Sequence, residues 1–269
     1  MRQWLIYWDV NPEIFKLGPF SIRWYGLLFA LGFIIGFQIM SYIFRKEKRN
    51  EEDLNDLLWY MILGTVIGAR LGHCLFYNPS YYLSNPLEIL QVWKGGLASH
   101  GAAIGILTAI YLFTKKYKEY SFFWLMDRLV ITVALGGSFI RLGNLFNSEI
   151  IGVPTGSDWG FVFTHVDSLP RHPAQLYESI AYLIVFIFLF SYYKKKEGNF
   201  KEGLLFGYFL ILVFTFRFFV EFVKENQTYF EEGMILNMGQ ILSIPFVIAG
   251  IYFVLRNNTK SIKINRRNS

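Results

Sequence analysis

Long apolar runs alternate along this chain with short polar breaks in which Lys, Arg, Asn and Glu predominate. A membrane-spanning helix needs about 20 largely apolar residues. Seven stretches meet or approach that length, at about 20–44, 56–77, 97–114, 122–146, 174–193, 203–223 and 237–255. The third is short and glycine-rich. Between the second and third, Leu87 to Trp93 is amphipathic and fits a short interfacial helix, while 148–173 is the longest loop. The pattern predicts an all-α, polytopic integral membrane protein of seven transmembrane helices. Residues 1–269 form one membrane domain in this reading, with no room for a separate globular one. The opening stretch is polar and aromatic and lacks an apolar core region, so no cleavable signal peptide is expected.

Positive charge orients the spans, because cytoplasmic loops concentrate Lys and Arg. Arg45, Lys46, Lys48 and Arg49 follow the first span, and Lys115, Lys116 and Lys118 the third. Lys194, Lys195, Lys196 and Lys201 follow the fifth; Arg256, Lys260, Lys263, Arg266 and Arg267 follow the seventh. All lie beyond odd-numbered spans. The alternate loops carry the acids Glu88, Asp158, Asp167, Glu225, Glu231 and Glu232. The N-terminus is therefore predicted outside and the C-terminus in the cytoplasm.

Composition agrees with the pattern. Charged residues make up 17% of the chain, against about 25% in ordinary soluble domains. The net charge of +6 follows from the topology signal and attraction to anionic lipids, so no nucleic-acid partner is implied. Cys74 is the only cysteine, which excludes a disulfide framework. The four histidines are scattered without metal-ligand spacing, and neither a metal nor a cofactor is expected. Trp4, Trp8, Trp24, Tyr81, Tyr82 and Trp93 read as interfacial belt residues.

Polar side chains inside the spans carry the chemistry, because charge in hydrocarbon is costly and marks function by default. Arg141 lies about 30 Å along the fourth span from Ser121, its expected N-cap, and so near the outer boundary of the core. Asn144, Asn147 and Glu149 follow it. Arg217 lies in the outer half of the sixth span, with Glu221 one turn on and able to pair with it. Arg70, His100 in the first turn of the third span, Tyr25 and Glu178 fall at a similar height. The inner half holds Asp127 and Arg128, close enough to an interface to snorkel. Three arginines at headgroup depth suit a phosphate, whose oxygens match guanidinium forks. His100 is the group able to take a proton near neutral pH.

The run RLGNLFNSEIIG (141–152) resembles the signature of the prolipoprotein diacylglyceryl transferases. GGLASHGAAIG (95–105) is similar to that family's glycine-rich histidine motif, and RHPAQLYE (171–178) to a further one. RWYG (23–26) and RFFVEF (217–222) look like its first- and sixth-span motifs. Ile140, Leu145, Ala102 and Lys224 depart from the usual pattern. The resemblance implies a bacterial inner-membrane enzyme with its site toward the outer leaflet. It would move the diacylglyceryl group of phosphatidylglycerol to the lipobox cysteine of a prolipoprotein signal peptide, releasing glycerol phosphate. His100 would deprotonate the thiol, and Arg141 and Arg217 would hold the phosphate. Asn144 and Glu149 would orient them, Tyr25 would contact the headgroup, and Gly152 would allow a tight turn. Arg70, Asn147, Glu178 and Glu221 complete the expected substrate-binding set. Competing classes are an anion transporter or channel and another phospholipid headgroup transferase. Against transport stand the lack of an inverted repeat and the one-sided placement of the charges.

Overall fold

The computed structural model describes residues 4–18, 20–92, 95–225 and 233–265. Trp93, Glu231, Glu232, Arg266 and Arg267 lie outside these. Eight α-helices are found among the described residues: α1 (Trp24–Lys46), α2 (Glu51–Phe76), α3 (Pro79–Ser84), α4 (Ser99–Lys116), α5 (Phe122–Phe146), α6 (Ala174–Lys196), α7 (Leu204–Val220) and α8 (Met238–Asn265). Six of them, α1, α2, α5, α6, α7 (with its extension to Val223) and α8, are long and apolar enough to cross a bilayer. The chain is a mostly helical, multi-pass membrane protein. The third predicted span is the helix α4, 18 residues long; Ser99 and His100 at one end and Lys115 and Lys116 at the other dilute its apolar character. The stretch before it folds as α3 and a 3-10 turn over Pro86–Leu90.

Two compact units are present, one of residues 40–126 and one of residues 1–39 with 127–269. The boundary between them runs through α1 and α5.

In the first of these, α2 begins where Asn50 accepts the Glu52 N–H at 3.1 Å. Glu51, Glu52 and Asp53 occupy the first turn, where negative charge complements the helix dipole. Helices α2 and α4 pack through Gly64, Gly68 and Gly72 against Gly101 and Gly105. A Cβ at any of these would run into facing backbone, the small-residue contact by which membrane helices approach closely. Ser121 caps α5, accepting the Trp124 N–H at 3.0 Å.

In the second unit, Asp127 and Arg128 are not snorkelling. They are 0% and 2% exposed. The Asp127 carboxylate accepts the Gly203 and Phe206 N–H groups at 2.7 and 2.8 Å, and so caps the start of α7 from a different helix. That position needs an external cap because Gly203, at φ 89°, has no side chain of its own to supply one. Arg128 donates to Gly198 O and lies over the Phe200 ring. Ser138 on α5 and Ser179 on α6 exchange hydrogen bonds at 2.8–3.0 Å, fixing one helix against the other.

The five short strands found among the described residues were not visible in the apolar pattern. Residues 20–23, read as the start of the first span, form β3 (Phe20–Arg23), which pairs with β2 (Glu13–Leu17). The long loop supplies β4 (Trp159–Phe163) and β5 (Pro170–Arg171), and β1 (Trp4–Trp8) runs parallel to β4. This three-stranded sheet covers a small core of Leu145, Ile151 and Phe163, with Trp8 against it. Trp8, half-buried, packs against this core, its indole N–H donating to Leu145 O at 3.0 Å.

Candidate active site

The C-terminal turn of α5 shapes the site. Ser148 N–H donates to Leu145 O and Glu149 N–H to Asn144 O, at 3.0 and 3.1 Å, with Ser148 left-handed at φ 53°. This pair of bonds is a Schellman motif, closed here by a serine where glycine is usual. It folds Glu149 back over the last turn of the helix. Ile150 is left-handed too, at φ 58°, a strained setting for a β-branched residue and one that concentrates at functional sites.

Glu149 gathers its neighbours by that fold. Asn144 Nδ2 and Asn147 Nδ2 donate to Glu149 Oε1 at 2.9 and 3.1 Å. Gln175 Nε2 donates to the Glu149 carbonyl at 2.7 Å. Asn144 Oδ1 in turn accepts from Arg141 Nη1 at 3.3 Å. Tyr25 packs its ring on Gly143, where a Cβ would not fit.

From Arg141 a chain of alternating charges runs through the unit. Arg141 Nε lies 3.1 Å from Glu178 Oε2, an ionic contact without hydrogen-bond alignment. Glu178 Oε1 accepts from Tyr182 at 3.3 Å and lies 3.9 Å from Lys224 Nζ. Lys224 Nζ is 2.7 Å from Glu221 Oε1, which is 3.7 Å from Arg217 Nε. Both carboxylates and the lysine are nearly inaccessible, at 0%, 6% and 4% side-chain exposure, whereas Arg141 keeps 15% and Arg217 35%. Three cations face two carboxylates in the chain, and the two arginines that end it are its accessible members. The chemistry this permits is anion binding with preorganised guanidinium groups.

The i,i+4 pair expected of Arg217 and Glu221 is present, but Lys224 is the closer partner of Glu221. Asn237 Nδ2 also donates to Glu221, at 3.2 Å. Gly152 does not make a tight turn. Its φ is not left-handed; it lies extended in a bridge with Lys224, where a Cβ would strike His172 and Val223 backbone. Its glycine is needed for close approach. Arg171 locks this crossing, donating to Gly152 O at 3.0 Å, Glu225 Oε1 at 2.6 Å and Asp167 at 2.6–3.2 Å. The guanidinium hydrogen bonds hold the Asp167 carboxyl below the usual carboxylate range.

Arg70 and His100 belong to the other unit. Arg70 is 4% exposed, and four of its N–H groups go to the carbonyls of Ile89, Glu88, Gly95 and Gly96 at 2.6–3.2 Å. Gly95 and Gly96 are both left-handed, at φ 84° and 70°, which turns their carbonyls toward it. In this structure Arg70 clamps a loop, a different duty from the phosphate contact expected of it. His100 is exposed in the first turn of α4, 5.1 Å from the Phe76 ring, and makes no hydrogen bond among the described residues.

Lys224, Gln175, Arg171 and Asn237 were missed as site residues. Helical spacing could have found Gln175, which shares a face of α6 with Glu178, Ser179 and Tyr182. Lys224 and Arg171 each have an acid three or four residues away, Glu221 and Asp167, but the links that bring them to the site, to Glu178, Glu225 and Gly152, come from segments distant along the chain. Ile140, one of the departures from the usual pattern, is half-buried.

Residues 12–256 match the family model described as prolipoprotein diacylglyceryl transferase. Similar proteins carry the name phosphatidylglycerol–prolipoprotein diacylglyceryl transferase. One from Chloroherpeton thalassium is 52% identical, with 94% of each chain covered. One from Tolumonas auensis is 50% identical over 93% of this chain and 97% of its own. One from Bacteroides fragilis is 48% identical over 96% and 98%.

Proposed function

Because the chain belongs to the prolipoprotein diacylglyceryl transferase family, we propose that it moves the diacylglyceryl group of phosphatidylglycerol to the lipobox cysteine of bacterial prolipoproteins. The thiolate sulfur attacks the glyceryl carbon, a C–S bond forms, and the C–O bond to phosphate breaks. Glycerol phosphate leaves with the electron pair.

The observation that carries the residue assignment is the alternating chain from Arg141 to Arg217, whose two accessible ends are guanidinium groups. They grip the phosphate and offset charge growing on the leaving oxygen, work that preorganised donors do best in a low-dielectric site. Glu178 and Glu221 orient the arginines, with Lys224 between them in contact with both carboxylates. Asn144 and Glu149 hold Arg141 from its other side, with Asn147 on the same carboxylate oxygen. Gly152 lets the Lys224 segment approach, and Tyr25 contacts the headgroup. His100 takes the thiol proton, on its chemistry and motif alone. Arg70 becomes a positioning residue for the loop that leads into α4.

The same reading places the protein in the bacterial cytoplasmic membrane as one domain of seven spans. The N-terminus is outside, the C-terminus inside, and the site faces the outer leaflet.

The test is turnover of phosphatidylglycerol with a lipobox peptide, the product read by mass spectrometry. Arg141→Ala and His100→Ala are each expected to lose about 100-fold or more in kcat. Near-normal turnover in either would end that residue's role, and a product of another mass would point to a different headgroup transfer.

A further inference from the structure

The turn between α5 and α6 holds hydrogen-bond acceptors that the ionic chain does not use. Asn147 Nδ2 and Gln175 Nε2 both point at oxygens of Glu149, at 3.1 and 2.7 Å. Carbonyl and ionised carboxylate oxygens only accept, so each amide is fixed with its nitrogen toward Glu149 and its oxygen turned elsewhere. Those two oxygens, Asn147 Oδ1 and Gln175 Oε1, are buried and have no hydrogen-bond partner among the described residues. The same holds for Ser148 Oγ. Gln175 as a whole is 0% exposed.

Native proteins leave few buried polar atoms unpaired, because each costs about 1–3 kcal/mol. Here three occur on residues that all adjoin Glu149, in a turn where Ser148 and Ile150 are both left-handed. Both hydrogen bonds to the Glu149 carboxylate fall on Oε1, which leaves Oε2 to accept more. The set therefore asks for a ligand that brings donors. Asn144 ties Glu149 to Arg141, and the guanidinium offsets the carboxylate. A neutral group with hydroxyls suits this balance better than an ammonium.

We infer that Gln175, Asn147 and Ser148 read the hydroxyls of the glycerol headgroup and so set the selectivity for the donor lipid. The inference rests on phosphatidylglycerol being that lipid, as proposed above. Its terminal glycerol carries two hydroxyls, each donating one hydrogen bond, and Ser148 can donate one back. A headgroup without hydroxyls leaves the acceptors unpaired beneath the bound lipid. Sites built to hydrogen-bond a hydroxyl reject analogues lacking it for this reason.

The experiment compares phosphatidylglycerol with phosphatidylpropanol, which keeps the phosphate and lacks the headgroup hydroxyls. The full chain in lipid–detergent micelles receives a lipobox peptide, and kcat/KM is measured for each lipid. The unaltered protein is expected to prefer phosphatidylglycerol by about 10–100-fold, as two lost hydrogen bonds imply. Gln175→Leu is expected to bring that ratio below about 3-fold, because only the hydroxyl-bearing lipid loses its partner. Asn147→Ala, at a half-buried position, provides the same readout if Gln175→Leu fails to fold. Equal losses on both lipids in these variants would overturn the inference, since a merely structural role lowers both together. So would an unaltered protein that does not distinguish the lipids. Transfer from neither lipid would overturn the functional proposal itself, and this inference with it, so the two failures are told apart.

Discussion

Lys224 Nζ stands 2.7 Å from Glu221 Oε1, both side chains almost wholly removed from solvent. Removing one partner of such a pair leaves an uncompensated buried charge and costs about 3–5 kcal/mol, far more than the intact pair contributes. Lys224→Met should therefore lower Tm by about 6–20 °C, with Lys224→Arg close to the parent. A Tm for Lys224→Met within about 2 °C of the parent would show that the lysine does not keep Glu221 and Glu178 in place.

Arg70 gives a test that separates a phosphate contact from a clamp. A point charge is sufficient for phosphate, but four carbonyls in different directions need the guanidinium fork. Arg70→Lys should be nearly as damaging as Arg70→Ala, each losing about 2–4 kcal/mol of stability as buried carbonyls go unpaired. Thermal denaturation of the two variants decides the matter. Full stability in Arg70→Lys would refute the clamp.

Asp127 uses both carboxylate oxygens to cap α7. An amide offers one acceptor, so Asp127→Asn should keep about half of the capping contribution and Asp127→Ala none. A lost cap costs about 0.5–2 kcal/mol. Since α7 carries Arg217, turnover should fall along with Tm in the order Asn then Ala. If both variants match the parent in Tm, the cap contributes nothing to the placement of that helix.

Acid should loosen the turn held by Arg171. Its hydrogen bonds lower the Asp167 pKa in the folded protein, so Asp167 stabilises the fold above the ordinary carboxylate pKa of about 3.9. That contribution is lost as pH falls from there through the depressed folded value. Trp159 lies 5.1 Å from His172 beside this turn, and its fluorescence should change below about pH 4. Asp167→Asn should abolish the acid transition; an unchanged transition would assign it to another group.

The spans were legible because each is a long, local signal. Phe122–Phe146 matches its predicted bounds at both ends, since Ser121 caps one end and Asn147 leaves the apolar run at the other. The strands were not legible. Trp159–Phe163 is five residues long and pairs with Trp4–Trp8, from the far end of the chain, so no local window contains the pair. The same distinction divides the site. Arg141, Asn144 and Glu149 lie close together along the chain and were read together, whereas the link between Glu178 and Lys224 depends on which segments cross. Asp127 was misplaced for a related reason: its depth could be counted along α5, but its partners, the free N–H groups of α7, could not.

The parallel pairing of β1 with β4 bears on how the protein is made. The ribosome must complete five helices, α1 to α5, between the two strands. At roughly 5–20 residues per second, β1 waits roughly 8–30 s for its partner to emerge. During that interval the backbone edge that β4 will cover is open to any other extended chain. The wait also sets an order of events: the sheet closes over Leu145, Ile151 and Phe163 only after α5 is complete. Assembly of the turn bearing Glu149 is thus a late step in biogenesis, after synthesis of the helix from which it springs.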